Sequence, residues 1–237
     1  MIFYSCVFSL ESAAKNEYIY MLMLLYTSLK KTQSLVSEDK YYLMADPDTA
    51  EVVRGIPCLS ELIILPMPKP TTMLEGMSWR YQLHRHTDVM FQTICYLDVD
   101  MLCIKKFQLA IQDTDVLCVY PEGIASDTNY SGSKPLKGEI GVSSTMFAYC
   151  LGEKTLQLLE RILFNIRTDP QENYTLDQPY LNHAIQEGVA PVALLPNSII
   201  SFNGHNNLPE AYFINCCGCP GDGAFHFRKM LEISMRV

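Results

Sequence analysis

The chain has 237 residues, 49% apolar and 19% charged, with a formal net charge of −8. That length and composition support one sizeable α/β core and exclude a globally disordered chain. A net negative chain lacks the basic excess of a phosphate-backbone reader, so nucleic acid is not an expected partner.

In chain order, residues 2–8 form a short apolar run rich in β-formers, the expected first strand. Residues 15–31 suit a helix, because Tyr18, Leu22, Leu25 and Leu29 recur at three- and four-residue steps. Strands are expected over 41–45, punctuated by Asp46-Pro47-Asp48, and over 61–65, stopped by Pro66 and Pro68. A helix over 79–88 and a strand over 93–97 follow, the strand running straight into Asp98. Another strand is expected over 116–120. Residues 121–139, rich in Gly, Ser, Asn, Lys and Pro, read as a long loop that would serve as a lid. Next come a strand over 140–149 and a helix over 152–167, with Leu156, Leu159 and Leu163 on one face. A helix over 176–187 tolerates Pro179 in its first turn. Short strands at 191–195 and 199–202, then a Gly/Asn/Cys-rich loop, lead to Phe225-His226-Phe227.

This alternation implies βαβ units: an α/β fold with a mostly parallel central sheet flanked by helices, and a small C-terminal antiparallel part. No linker divides the chain, so residues 1–237 are expected to form a single domain. The longest apolar stretch, residues 18–29, falls short of the ~20 residues that span a bilayer, so no transmembrane segment is expected. Residues 1–10 lack the basic start of a signal peptide. The nine cysteines are odd in number and sit mostly in apolar runs, which fits a reducing, cytoplasmic setting.

The chemistry concentrates where the 93–97 strand ends in Asp98-Val99-Asp100. Ligands bind open α/β sheets outside the carboxyl ends of strands. Two carboxylates ~4 Å apart repel by ~4 kcal/mol at an effective dielectric of ~20, and a cation, a shared proton or an arginine must offset that. Hard divalent ions take oxygen ligands and bridge one or two carboxylates to substrate phosphates. The plainer reading is a polar strand end with two solvated acids.

Four segments, in order along the chain, resemble glycosyltransferase family 8, the glycogenin and bacterial galactosyltransferase group with the GT-A (Rossmann-like) fold. Residues 96–102 resemble its D-x-D strand end. Leu176-Asp177-Gln178-Pro179-Tyr180-Leu181-Asn182 resembles its D-Q-x-x-L-N segment, and Phe225-His226-Phe227 its late His-Phe element. Asn16, Tyr18 and Ser28-Leu29-Lys30 match its first helix. The resemblance implies a UDP-sugar as donor, a carbohydrate, glycoprotein or glycolipid acceptor, and retention at the anomeric carbon. It implies a nucleotide-binding half over about 1–110 and an acceptor and sugar half over about 111–237. Asp98, Asp100 and His226 would hold Mn²⁺ or Mg²⁺. Tyr18 would lie against the uracil ring, and Val99 would also border the nucleotide. Asp177 and Gln178 would face the donor sugar and the reacting carbon.

The sequence departs from the family in places. Val142-Ser143-Ser144-Thr145 stands where the family has Phe-Asn-Ser-Gly, so Ser143 would make the sugar contact of the Asn. The lysine that follows the His-Phe element is missing, which leaves Arg228 or Lys229 for the diphosphate. The basic residue upstream of the D-x-D is Arg80, although strict spacing falls on Gln82. An inverting reaction would instead need Asp177 as the base. Two other functions are open: a nucleotide-sugar-binding protein without turnover, and a metal-dependent phosphoesterase.

Among the other histidines, His84 and His86 are expected on a solvated helix face. His183 is expected to cap or pack, and His205 lies in a polar loop within reach of an acceptor. Cys216-Cys217-Gly218-Cys219 lacks the second pair of ligands a structural zinc needs and reads as a tight loop. No P-loop and no G-x-G-x-x-G is present, against ATPase and dinucleotide enzymes.

Overall fold

The structure, a computed structural model, describes residues 1–11, 16–124, 140–169, 177–204, 209–216 and 223–236. The strands are β1 (Ile2–Val7), β2 (Lys40–Ala45), β3 (Ile63–Pro66), β4 (Thr93–Leu97), β5 (Met101–Cys103), β6 (Leu117–Ile124), β7 (Ile140–Cys150), β8 (Val192–Leu194), β9 (Ile200–Phe202) and β10 (Phe213–Asn215). The helices are α1 (Asn16–Lys31), α2 (Pro47–Arg54), α3 (Met73–Ser78), α4 (Leu83–His86), α5 (Glu153–Thr168), α6 (Gln178–Gln186) and α7 (Gly223–Ser234). This is an α/β protein with a mixed, largely parallel seven-stranded sheet, order β3-β2-β1-β4-β7-β6-β8, flanked by helices. A second, three-stranded sheet has the order β5-β10-β9. No helix among the described residues is long and apolar enough to cross a membrane.

The small sheet differs from the expected C-terminal antiparallel part. Its middle strand β10 is antiparallel to β5 but parallel to β9, and β5 comes from mid-chain, directly after Asp100. Strands of three residues carry too little periodicity to be read from sequence; cross-strand pairing selects them.

Two compact units interleave along the chain: residues 1–2, 70–96 and 110–196, and residues 3–69, 97–109 and 197–237. In the second, α1 buries Ile19, Met21, Leu22, Leu25, Tyr26 and Leu29, the face its spacing implies. Phe3 stacks on Tyr41 at 6.4 Å, and Ser5 Oγ lies 2.6 Å from both Tyr41 Oη and the Leu97 carbonyl. Asp46, expected as turn punctuation, is the N-cap of α2. Its carboxylate accepts from the Asp48 and Thr49 amides at 3.1 and 3.2 Å, with Pro47 opening the helix. Pro66 ends β3, an edge strand, where a missing N–H costs little.

In the first unit, β6 and β7 pair antiparallel and β8 joins β6 parallel. Phe147 on β7 stacks between Tyr81 and Tyr96 at 5.6 and 5.0 Å. The expected helix over 79–88 is instead a 3₁₀ turn over Trp79–Tyr81 and the short α4, because Gln82 (φ −113°, ψ 1°) breaks the helical path. The buried face of α5 is Leu158, Leu159, Ile162, Leu163 and Ile166; Leu156 is 37% exposed, contrary to the expected stripe. β6 extends to residue 124, so the expected loop begins later, and its remaining residues 125–139 lie outside the described ones.

Candidate functional site

The sequence-derived residues fall into two constellations, one in each unit. The first follows from the end of β4. Open α/β sheets bind ligands outside the carboxyl ends of their strands. Asp98, Val99 and Asp100 form the turn there, with Val99 buried and the two acids half-buried. Across from them, α7 rests on α1 with the Tyr20 and Phe227 rings 5.4 Å apart. That docking buries His226 to 9% exposure and sets its Nδ1 3.7 Å from Asp100 Oδ2. Phe225-His226-Phe227 carried no expected element. It belongs to a helix, so its two Phe residues diverge: Phe225 is 49% exposed, while Phe227 packs inward.

Adjacent ligands ~2.1 Å from an octahedral Mn²⁺ or Mg²⁺ stand ~3.0 Å apart. The 3.7 Å between His226 and Asp100 is wider than that separation, so the pair is near an ion site without being closed on one. Asp100 Oδ1 is shielded from solvent and has no hydrogen-bond partner among the described residues, a costly state for a carboxylate oxygen. That oxygen suits a cation. No group of three or more His, Cys, Asp or Glu residues that could hold a metal occurs among the described residues, so the expected trio with Asp98 is not assembled as a closed cage. The arrangement fits an ion held by one or two protein groups and completed by substrate phosphates. Tyr18 sits half-buried in the first turn of α1, and Arg228 is exposed on α7.

The second constellation centres on Asp177, 1% exposed at the start of α6. Its Oδ2 accepts from the Tyr81 hydroxyl and lies 3.5 Å from Arg80 Nε; its Oδ1 lies 3.5 Å from Ser144 Oγ. Arg80, 6% exposed, donates through Nη1 to the Ser144 carbonyl and hydroxyl at 3.0 and 2.9 Å and lies 4.8 Å over the Tyr96 ring. A β-bulge explains why Ser144 is available. Val119 pairs with Phe147 and Tyr120 with Ser143, so residues 144–146 lie outside the β6–β7 ladder. The Ser144 carbonyl goes to Arg80, and its N–H donates to Gln178 Oε1 at 3.2 Å. Gln178 Nε2 donates to Glu122 Oε2 at 2.8 Å. Four residues further along α6, Asn182 accepts from the Val142 N–H and donates to the Val142 carbonyl, both at 2.8 Å.

The structure thus joins Asp100 to His226, and Asp177 and Gln178 to Arg80 and Ser144. Ser143 is 1% exposed, and its Oγ accepts from the Thr145 N–H at 3.3 Å. Sequence reasoning gave no role to Tyr81, Ser144, Glu122 or Asn182. Of these, only Asn182 had a signal, since Gln178 and Asn182 at i and i+4 share a helix face. His84 is corrected. Its side chain is 5% exposed and bonded to Glu160 at 2.8 Å, because α4 packs where a solvated face was expected; His86 is exposed. Burial holds the His84 imidazole below its usual value. The Arg85 hydrogen bonds are the main cause that takes the Glu160 carboxyl down to about 2. His205, Cys217 and Cys219 lie outside the described residues. A pocket of about 500 Å³ lined by Tyr26, Lys30, Tyr41 and Glu61 opens at the amino ends of β2 and β3, away from the strand end that carries Asp98 and Asp100. No protein-family model matches the chain, and no curated protein matches its sequence.

Proposed function

We propose that this protein is a metal-dependent glycosyltransferase of GT-A architecture, moving a sugar from a UDP-sugar to an acceptor hydroxyl with retention. The observation that carries the reading is the Asp100–His226 pair, with its unpartnered carboxylate oxygen, beyond the carboxyl end of β4. Asp100 and His226 would hold Mn²⁺ or Mg²⁺ with substrate phosphates completing the coordination, and the ion would supply charge neutralisation for a departing diphosphate. Tyr18 and Val99 border the nucleotide in this reading, and Arg228 reaches the diphosphate. Gln178, its amide held by Ser144 and Glu122, would border the donor sugar, as would Ser143. Asp177 acts through its field. Both its oxygens face protein groups and it is 1% exposed, which suits stabilisation of a cationic, oxocarbenium-like sugar better than proton abstraction. Arg80 serves as the counter-ion of Asp177.

The test is a thermal-shift screen of UDP-sugars with and without Mn²⁺. A ligand at ~100 times its dissociation constant adds roughly 2.7 kcal/mol of stability. The gain is expected to require Mn²⁺ and to vanish in Asp100→Ala. A shift that persists in that variant, or no shift with any UDP-sugar, refutes the reading.

A further inference from the structure

The β6–β7 ladder carries two irregularities, both inside the unit of residues 1–2, 70–96 and 110–196. The first sets Ser144 on β7 outside the ladder. The second lies on the opposite strand. Pro121 pairs with Val142 and Gly123 with Gly141, so Glu122 is the extra residue of a bulge on β6. Bulges re-aim side chains and are common beside functional sites. Here both serve one group. The Ser144 N–H donates to Gln178 Oε1 at 3.2 Å, and Gln178 Nε2 donates to Glu122 Oε2 at 2.8 Å.

The two partners are of opposite kind. A backbone N–H only donates, and an ionised carboxylate only accepts. Turned over, the Gln178 carboxamide would set its NH₂ against the Ser144 N–H and its oxygen against the Glu122 carboxylate, two repulsive contacts in place of two attractive ones. Glu122 supplies the charged half of the clamp, and a hydrogen bond to an ionised acceptor is roughly twice as strong as a neutral one. Thus held, Gln178 keeps one amide proton and one carbonyl lone pair for a ligand, each on a fixed side. Gln178 is half-buried and Glu122 exposed. Exposed polar pairs contribute little to folding, so the consequence of this clamp is the orientation of the amide.

We infer that Glu122 is the positioning residue of Gln178: it fixes which edge of the carboxamide meets the donor sugar, and so governs binding of the sugar and not of the nucleotide. The inference rests on the reading that Gln178 borders the donor sugar.

The experiment measures dissociation constants by isothermal titration calorimetry in Mn²⁺, with UDP, UDP-glucose, UDP-galactose, UDP-N-acetylglucosamine and UDP-xylose as ligands of the full chain. Glu122→Ala is expected to weaken the UDP-sugar that the wild type binds by at least about fivefold, while UDP stays within about twofold. A loss of general structure would move both. Glu122→Gln keeps a carbonyl that accepts from Gln178 Nε2 and is expected to recover most of the loss. Adding Glu122→Ala to Gln178→Ala is expected to cost nothing more, because Glu122 acts through Gln178. The Glu122 side chain is exposed, so its variants are expected to fold, which circular dichroism checks. UDP-sugar binding within about twofold of wild type in Glu122→Ala overturns the inference, as do equal losses in the Ala and Gln variants or a further loss in the double variant. A wild type that binds no UDP-sugar removes the transferase reading and this inference with it; sugar binding that ignores Glu122 removes this inference alone.

Discussion

Replacing Asp177 with Ala separates an anchoring carboxylate from a free one. The change leaves Arg80 buried at 6% exposure without its counter-ion, and breaking a buried ion pair from one side costs ~3–5 kcal/mol. Arg80 keeps its two bonds to Ser144 and its position over Tyr96, which puts the ionic part near the low end, ~3 kcal/mol. The Tyr81 hydroxyl, in a fully buried side chain, loses its acceptor for a further ~1 kcal/mol. The expected loss is ~4 kcal/mol, a large share of the 5–15 kcal/mol typical of a domain. Asp177→Asn retains an oxygen for Tyr81 and is expected to cost ~1–2 kcal/mol. Adding Arg80→Met to Asp177→Ala removes the stranded charge and is expected to restore ~2 kcal/mol. Urea unfolding at pH 7, followed by circular dichroism, measures all three. A loss below ~1 kcal/mol in Asp177→Ala would refute the buried network and return Asp177 to the role of a free base.

Asn182→Ala removes both partners of Val142, leaving a buried N–H and a carbonyl unsatisfied; the expected cost is ~2–4 kcal/mol in urea unfolding, with faster hydrogen exchange at the Val142 amide. Acidification is expected to weaken the chain in two stages. His84 is held neutral below its usual value, so the unfolded chain binds the extra proton first, and stability falls as pH drops below ~6.5. Glu160, lowered to about 2, contributes fully above the ordinary carboxylate range near 4.5 and loses its contribution as pH falls toward 2. Its side chain is 39% exposed, so solvent screening holds that second stage to ~1 kcal/mol. Urea midpoints from pH 7 to pH 2.5 test both stages; His84→Gln is expected to shrink the first, leaving the share of His86, which burial also holds below its usual value.

Long periodic elements were legible because their pattern repeats: α1 and its buried face, α5 as a helix, and β4 running into Asp98. Errors arose where local signals had two meanings. Asp46-Pro47 is both turn punctuation and a helix start, and only the capping bonds to Asp48 and Thr49 decide. The alternating Phe225-His226-Phe227 gave no sign that Gly223 opens a helix. In the candidate site, the strand-end acids were visible as a local pattern. The partners that fix Asp177 come from a 3₁₀ turn and a bulge far away in sequence, and nothing local marks Arg80, Tyr81 or Ser144 as its neighbours.

The clasp between β5 and β10 governs when Asp100 acquires its surroundings. The acid leaves the ribosome well before β9, β10 and α7, which follow it far along the chain. Closing such a long loop is slow and entropically costly, so this corner assembles late in synthesis. A nascent product that stops before β9 would carry Asp98-Val99-Asp100 intact and still lack the β10 partner strand and His226. The fold thereby ties maturation of the acidic turn to synthesis of β9, β10 and α7.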